Sequence, residues 1–128
     1  PSGAGQEKTI KKVPITHTSA ASGEEMYTSY CAACHGKTGK GDGPAASAMK
    51  TPPTDLTLLA KNNNGKYPSD HVASVLRFGT PTPAHGAKDM PIWGPLFSTL
   101  HGRTAGSDAL VQLRISNLTT YIESLQAK

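Results

Sequence analysis

The residues between positions 31 and 35 constrain this chain more than any other feature. Cys31, Cys34 and His35 form the pattern C-x-x-C-H, which is typical of covalent haem attachment. On a helix, residues three and four positions apart share a face, so all three side chains would point toward one flat object. The two thiols would then hold a haem c through thioethers, and the imidazole would be the proximal ligand of its iron.

Other interpretations of the paired cysteines are less consistent with their surroundings. A redox C-x-x-C pair opens a helix after a buried strand, whereas this pair ends a helical pattern that no apolar strand precedes. A zinc site would need two further ligands. None of the remaining histidines lies at a finger-like spacing from another; they are His17, His71, His85 and His101. A disulfide between the two cysteines stays as a minor alternative.

The composition independently indicates a chain that needs a prosthetic group at its centre. Leu, Ile, Val and Phe together make up 21 of the 128 residues, below the roughly 20% expected of a self-sufficient core. The formal net charge of +4 is too modest for a typical disordered chain. We therefore expect one domain in which a haem supplies the apolar area that the side chains do not.

The apolar pattern predicts helices joined by loops, with no strand. Ser22 and Glu25 form a predicted capping box, so the first helix should begin near Gly23 and run to the C-x-x-C-H motif. Residues 94–106 are predicted as a long connection before the last helix. Further helices are predicted over 45–50, from a cap at Ser69 or Asp70 to Gly79, and from Ser107 onward, with an apolar stripe of Leu110, Leu113, Leu118, Tyr121, Ile122 and Leu125.

Two loops are predicted to complete the site. The glycine-rich residues 36–44 would lie close to the haem edge and supply the carbonyl that accepts a hydrogen bond from His35 Nδ1. The loop over 80–91 carries Met90, whose backbone is biased toward an extended conformation by the proline that follows it. Met90 is the candidate for the second axial position, and His85 on the same loop is its rival.

These motifs resemble those of class I c-type cytochromes over nearly all of residues 23–125. The first helix carries G-x-x-x-aromatic-x-x-x-C-x-x-C-H from Gly23 through Tyr27, and the last carries L-x-x-Y at Leu118 and Tyr121. The resemblance implies a mainly α cytochrome c fold. Several helices and loops would wrap around one covalently bound haem, and the first and last helices would cross at the small glycine. The bacterial branch is indicated by residues 41–46, Asp55-Leu56-Thr57, Met90-Pro91 and Trp93-Gly94.

The resemblance also implies the domain organisation and the activity. Residues 22–128 would form the haem domain, and residues 1–21, which lie outside the resemblance, an N-terminal extension or tether. With His35 and Met90 both on the iron, no substrate reaches it, so we expect a one-electron carrier and not an enzyme. The alternatives are an electron-input haem domain of a larger oxidoreductase, and a haem enzyme or gas sensor with an open distal site.

The basic charge allows two interpretations of how the protein meets its partner. A sequence pI of about 9.2 fits a redox partner protein with an acidic docking surface, met by Lys37, Lys40 and Lys88 near the haem edge. Equally, scattered lysines keep a protein soluble. We expect a monomer and no nucleic-acid partner.

Location is inferred from the kind of haem attachment. No run of about 20 apolar residues occurs, so we expect no membrane-spanning segment. Haem attachment to paired thiols in this class takes place on the far side of an energy-transducing membrane. The motif therefore implies a periplasmic protein that is exported with its signal peptide removed. A start at Pro1 fits that processing, and a trimmed chain would begin in the same way.

Overall fold

The computed structural model describes residues 15–80, 90–102 and 105–128, which form helices and loops and no strand. Within these ranges no helix combines the length and the apolar character needed to cross a membrane. Short 3₁₀ turns lie at Ala46–Ala48, Leu56–Leu58 and Lys61–Asn63. The helices are α1 (Gly23–Tyr30), α2 (Ala32–His35), α3 (Ser69–Phe78), α4 (Trp93–Ser98) and α5 (Ser107–Ser124).

The first and last helices cross at Gly23, as the sequence predicted. A Cβ atom at Gly23 would lie less than 3 Å from the carbonyl oxygen of Asn117 and from Cβ of Tyr121. Any larger residue would therefore force α1 and α5 apart. One turn further along α1, the rings of Tyr27 and Tyr121 lie 5.3 Å apart between centroids, so the crossing continues as an aromatic contact.

The core lies between α1, α3, α4 and α5. The predicted stripe on α5 was partly wrong, because Leu110 and Leu113 are exposed. At 100° per residue, Val111 and Ile115 align with the buried leucine of the L-x-x-Y motif, whereas Leu113 points to the opposite side. The buried apolar residues are Met26, Tyr27, Cys31, Val72, Leu76, Trp93, Phe97, Val111, Ile115, Leu118 and Ile122.

Helix α4 lies where the sequence predicted only a connection. Gly94 and Pro95 both lie in the first turn of α4, where backbone N–H groups have no helical acceptor in any case, so neither residue interrupts the helix. Gly94 also allows α4 to pack tightly on α3, because a Cβ there would lie within 3 Å of the Arg77 carbonyl oxygen. Phe97, one turn later, is completely buried.

Two predicted caps differ in detail from the structure. Ser22 Oγ accepts from the Glu25 backbone N–H at 3.1 Å, but the Glu25 carboxylate accepts from the Ser19 N–H at 3.4 Å instead of returning to Ser22. The Ser22 N–H already donates to the Ser19 carbonyl at 3.2 Å. At α3 the N-cap is Pro68 and no side chain caps the helix, whereas Gly79 ends it at φ +86° as predicted.

A buried arginine fixes the residues before α1 to α5. Arg114 is 1% exposed, and its Nη1 and Nη2 donate to Oγ1 and the carbonyl of Thr18 at 2.9 and 2.6 Å. Its Nε donates to Nε2 of His101 at 2.9 Å, and its guanidinium lies 5.8 Å from the Phe97 ring centroid. The sequence gives no signal for this contact, because arginine is ordinarily exposed.

The Arg114–His101 hydrogen bond should make stability depend on pH. Burial, and then the nearby Arg114 and His17, lower the pKa of His101 below 6.5, so the folded protein favours the neutral imidazole that can accept. A lowered pKa means that the stabilisation is complete above the ordinary value and is lost as the pH falls through the folded value. We expect the melting temperature of the holoprotein to fall between about pH 7.5 and about pH 5.

The matched variant is His101→Gln, which keeps a carbonyl acceptor without a titrating group. Its melting temperature should fall less than that of the wild type over the same pH interval. His101→Ala should be destabilised by about 1–3 kcal/mol at the higher pH, because the buried Nε–H loses its acceptor. Equal pH dependence in the wild type and His101→Gln would contradict this assignment.

Candidate haem site

The C-x-x-C-H motif lies on a continuous helical turn despite the break between α1 and α2. Cys31 is the C-cap of α1 and donates its N–H to the Tyr27 carbonyl at 2.9 Å. Its own carbonyl accepts from the His35 N–H at 2.9 Å, so the helical hydrogen bonds resume at once. Both thiols are free; Cys31 is buried and Cys34 half-buried. The spacing therefore keeps the three predicted ligands on one turn.

The His35 ring is oriented by a backbone carbonyl. Its Nδ1 lies 2.9 Å from the carbonyl oxygen of Thr54, and because a carbonyl only accepts, Nδ1 carries the proton. The other nitrogen, Nε2, is then the one available to a metal. Burial lowers the pKa of His35, although the bond to Thr54 acts in the opposite direction. The net shift is downward, which favours the neutral imidazole over the imidazolium.

The prediction that residues 36–44 supply this carbonyl was wrong. That loop uses its N–H groups instead: Gly41 donates to the His35 carbonyl at 2.7 Å, and Gly43 to the Cys34 carbonyl at 3.0 Å. These bonds satisfy carbonyls that the end of α2 leaves without helical donors. Because the loop directs backbone N–H groups toward the helix, the carbonyl that accepts from His35 comes from the next segment of the chain.

Gly41 lets that next segment approach. Its φ is +86°, and a Cβ there would lie 2.6 Å from the Pro53 carbonyl oxygen. A second contact holds the segment on the loop, because the Leu56 N–H donates to the Gly39 carbonyl at 2.6 Å. The close approach at Gly41 thus lets the Thr54 carbonyl reach His35. No side-chain type at position 54 could have indicated this role, since any residue carries a carbonyl.

The thiols do not have the properties of a redox pair. Burial, with a smaller contribution from Cys34, raises the pKa of Cys31 to about 12. A catalytic C-x-x-C pair requires a thiol with a lowered pKa, which is the opposite of the shift at Cys31. Across residues 15–80, 90–102 and 105–128 no three histidine, cysteine or carboxylate side chains cluster as metal ligands. The raised pKa of Cys31 therefore disfavours the redox alternative.

The remaining predicted site residues are only partly placed. Met90 is half-buried against the core, and His85 lies outside the described residues. Trp93 is buried close to the motif, with its ring centroid 5.3 Å from that of Tyr30, the residue before Cys31. Aromatic side chains thus extend the apolar surroundings of the motif toward α4.

The fold and the site define a class I-like monohaem c-type cytochrome domain. A family model described as cytochrome c oxidase, cbb3-type, subunit III matches residues 18–101. The match covers more than half of the chain, so the chain belongs to this family. Comparison with curated proteins and with solved structures finds no match. Membership makes this chain a haem c protein of electron transfer, with iron as its metal.

Gly41→Ala should disturb the support of His35. The added Cβ meets the Pro53 carbonyl and the backbone must keep a left-handed φ, so we expect a loss of about 2–4 kcal/mol in the unfolding free energy. Chemical denaturation of the holoprotein measures it.

Gly65→Ala is the matched control for Gly41→Ala. Gly65 has a φ of +84° but nothing within 4 Å of its Cβ position, so only the backbone cost of about 1–2 kcal/mol applies. If the two variants lose the same free energy, the Pro53 contact does not constrain the segment.

Proposed function

We propose that this protein is a one-electron carrier that holds one haem c covalently through Cys31 and Cys34, with His35 and Met90 as axial ligands. The observation that carries the proposal is the hydrogen bond between His35 Nδ1 and the Thr54 carbonyl, 2.9 Å long. It directs the proton to Nδ1 and leaves Nε2 for the iron. Two free thiols on the same turn supply the attachment points.

The residues of the chain hold and tune the group. A bound haem c supplies a one-electron couple at its iron. The Thr54 carbonyl keeps the His35 tautomer constant and raises the basicity of the imidazole toward the metal. Cys31 and the neighbouring Trp93 are buried, so apolar side chains cover this side of the site.

Met90 is proposed to close the second axial position. Its side chain is half-buried beside the core, and its thioether is a soft ligand that favours ferrous iron. With both axial positions filled, no substrate binds the metal, which is why we propose a carrier and not an enzyme. His85 is the competing ligand, and an open distal site would instead fit a haem enzyme or gas sensor.

The partner and the location are part of the same proposal. Lys37 and Lys40 are exposed directly after the motif, where they would meet an acidic surface of a redox partner protein, and Lys88 lies outside the described residues. We propose a monomer in the periplasm, reached by export with removal of a signal peptide.

A second candidate function follows from the family description. The matching family is described as a subunit of a cytochrome c oxidase, which favours an electron-input haem domain that works within a larger oxidoreductase. The residues assigned to the haem would have the same roles in that case. The difference lies in the partner, which would be another subunit instead of a diffusing protein.

Met90→Ala tests the carrier proposal. The ferric holoprotein should lose its long-wavelength sulfur-to-iron absorption, the midpoint potential should fall, and the ferrous form should bind carbon monoxide. Optical redox titration and carbon monoxide difference spectra measure all three.

Met49→Ala and His85→Ala are the controls for Met90→Ala. Met49 is half-buried at the end of a 3₁₀ turn. Both Met49→Ala and His85→Ala should leave the absorption, the midpoint potential and the carbon monoxide binding unchanged. If His85→Ala instead opens the site, the iron is bound by two histidines. If the wild type already binds carbon monoxide, the protein is an open-site haem enzyme or sensor.

A further inference from the structure

We propose that Gln126 is a positioning residue for the proximal ligand: it holds the segment that carries the Thr54 carbonyl against His35. The inference rests on the proposed function, because it takes His35 to be the ligand of the haem iron. Gln126 lies just beyond the end of α5, 72 positions after Thr54 in the chain, so nothing in the sequence connects the two.

The side-chain amide of Gln126 binds the segment at two points. Its Nε2 donates to the Leu56 carbonyl at 2.6 Å, and its Oε1 accepts from the Ala60 N–H at 2.9 Å. The same Nε2 lies 3.0 Å from the Ile122 carbonyl in the last turn of α5. The amide therefore joins residues 56–60 to α5, and all its polar atoms are used.

The neighbours of Gln126 strengthen the same contact. The Ala127 N–H donates to the Thr57 carbonyl at 2.8 Å. Leu125 packs on the glycine-rich loop, since its Cδ1 lies 3.2 Å from where a Cβ of Gly39 would be. Residues 125–127, which we call the C-terminal clasp, thus cross the loop and the 56–60 segment together.

The clasp reaches the Thr54 carbonyl through a short and rigid stretch of backbone. Leu56 is held from both sides, by Gly39 on its N–H and by Gln126 on its carbonyl. The Asp55 carboxylate accepts from the Thr57 N–H at 2.9 Å and from its hydroxyl at 2.6 Å, which tightens the turn. Only Asp55 separates Thr54 from Leu56, so releasing Leu56 loosens the acceptor of His35.

A looser acceptor changes the metal site in a predictable direction. The Thr54 bond raises the electron donation of the imidazole, which stabilises ferric more than ferrous iron. When the bond weakens, the midpoint potential should rise. The Nδ1 proton should also exchange with solvent faster, because it spends more time without its acceptor.

The experiment uses the haem-loaded protein with Gln126→Met, which keeps the side-chain length and removes the three hydrogen bonds. We expect a higher midpoint potential. We also expect the His35 Nδ1 proton to exchange about tenfold faster, as measured by NMR in D₂O. A tenfold change corresponds to losing about 1.4 kcal/mol of hydrogen-bond free energy. Gln126→Glu keeps the acceptor for Ala60 and should shift both in the same direction by less.

Ser124→Ala is the control, because the Ser124 hydroxyl donates only to the Tyr121 carbonyl within α5; it should change neither readout. A Gln126→Met protein that melts at a lower temperature with unchanged potential and exchange overturns the inference and leaves the carrier intact. Absence of an iron-shifted His35 resonance in the wild type overturns the proposed function, and the inference with it.

Discussion

The hydrogen bond from His35 Nδ1 to the Thr54 carbonyl is the interaction on which the functional part of the structure depends. Three segments must be in place for it to form: the helical turn that carries His35, the glycine-rich loop that covers the end of this turn, and the segment that follows Pro53. Gly41 is required because any side chain there would meet the Pro53 carbonyl. A glycine at position 41 is thus what allows this backbone oxygen to reach the imidazole.

The scaffold behind this site rests on two close approaches of backbone. Gly23 lets α1 cross α5, and Gly94 lets α4 pack on α3. Between them lies a small apolar core, to which Arg114 adds an unusual element. Its charge is buried, and its hydrogen bonds go to Thr18 and His101. This arrangement extends the folded domain to residues that precede the first helix.

Sequence reasoning was most successful where side-chain identity carries the information. The C-x-x-C-H motif, the glycine at the helix crossing and the L-x-x-Y pattern led to the c-type cytochrome fold, which the family match confirms. It failed where backbone atoms carry the contact. The carbonyl of Thr54 has no sequence signature. Helix α4 covers Gly94 and Pro95, which were predicted to lie in a connection, because the first turn of a helix tolerates both residues. The buried Arg114 also contradicts the ordinary expectation of exposure. The ligand roles of Cys31, Cys34, His35 and Met90 stay predictions.

The central claim is that Cys31 and Cys34 hold a haem covalently on the turn that presents His35. Intact mass spectrometry of the denatured protein, purified from cells that mature c-type haem, tests it most directly. The account predicts a chain heavier than the bare polypeptide by the mass of one haem, and predicts that this increment is absent when both cysteines are replaced by alanine. A wild-type chain with the mass of the bare polypeptide would contradict the account.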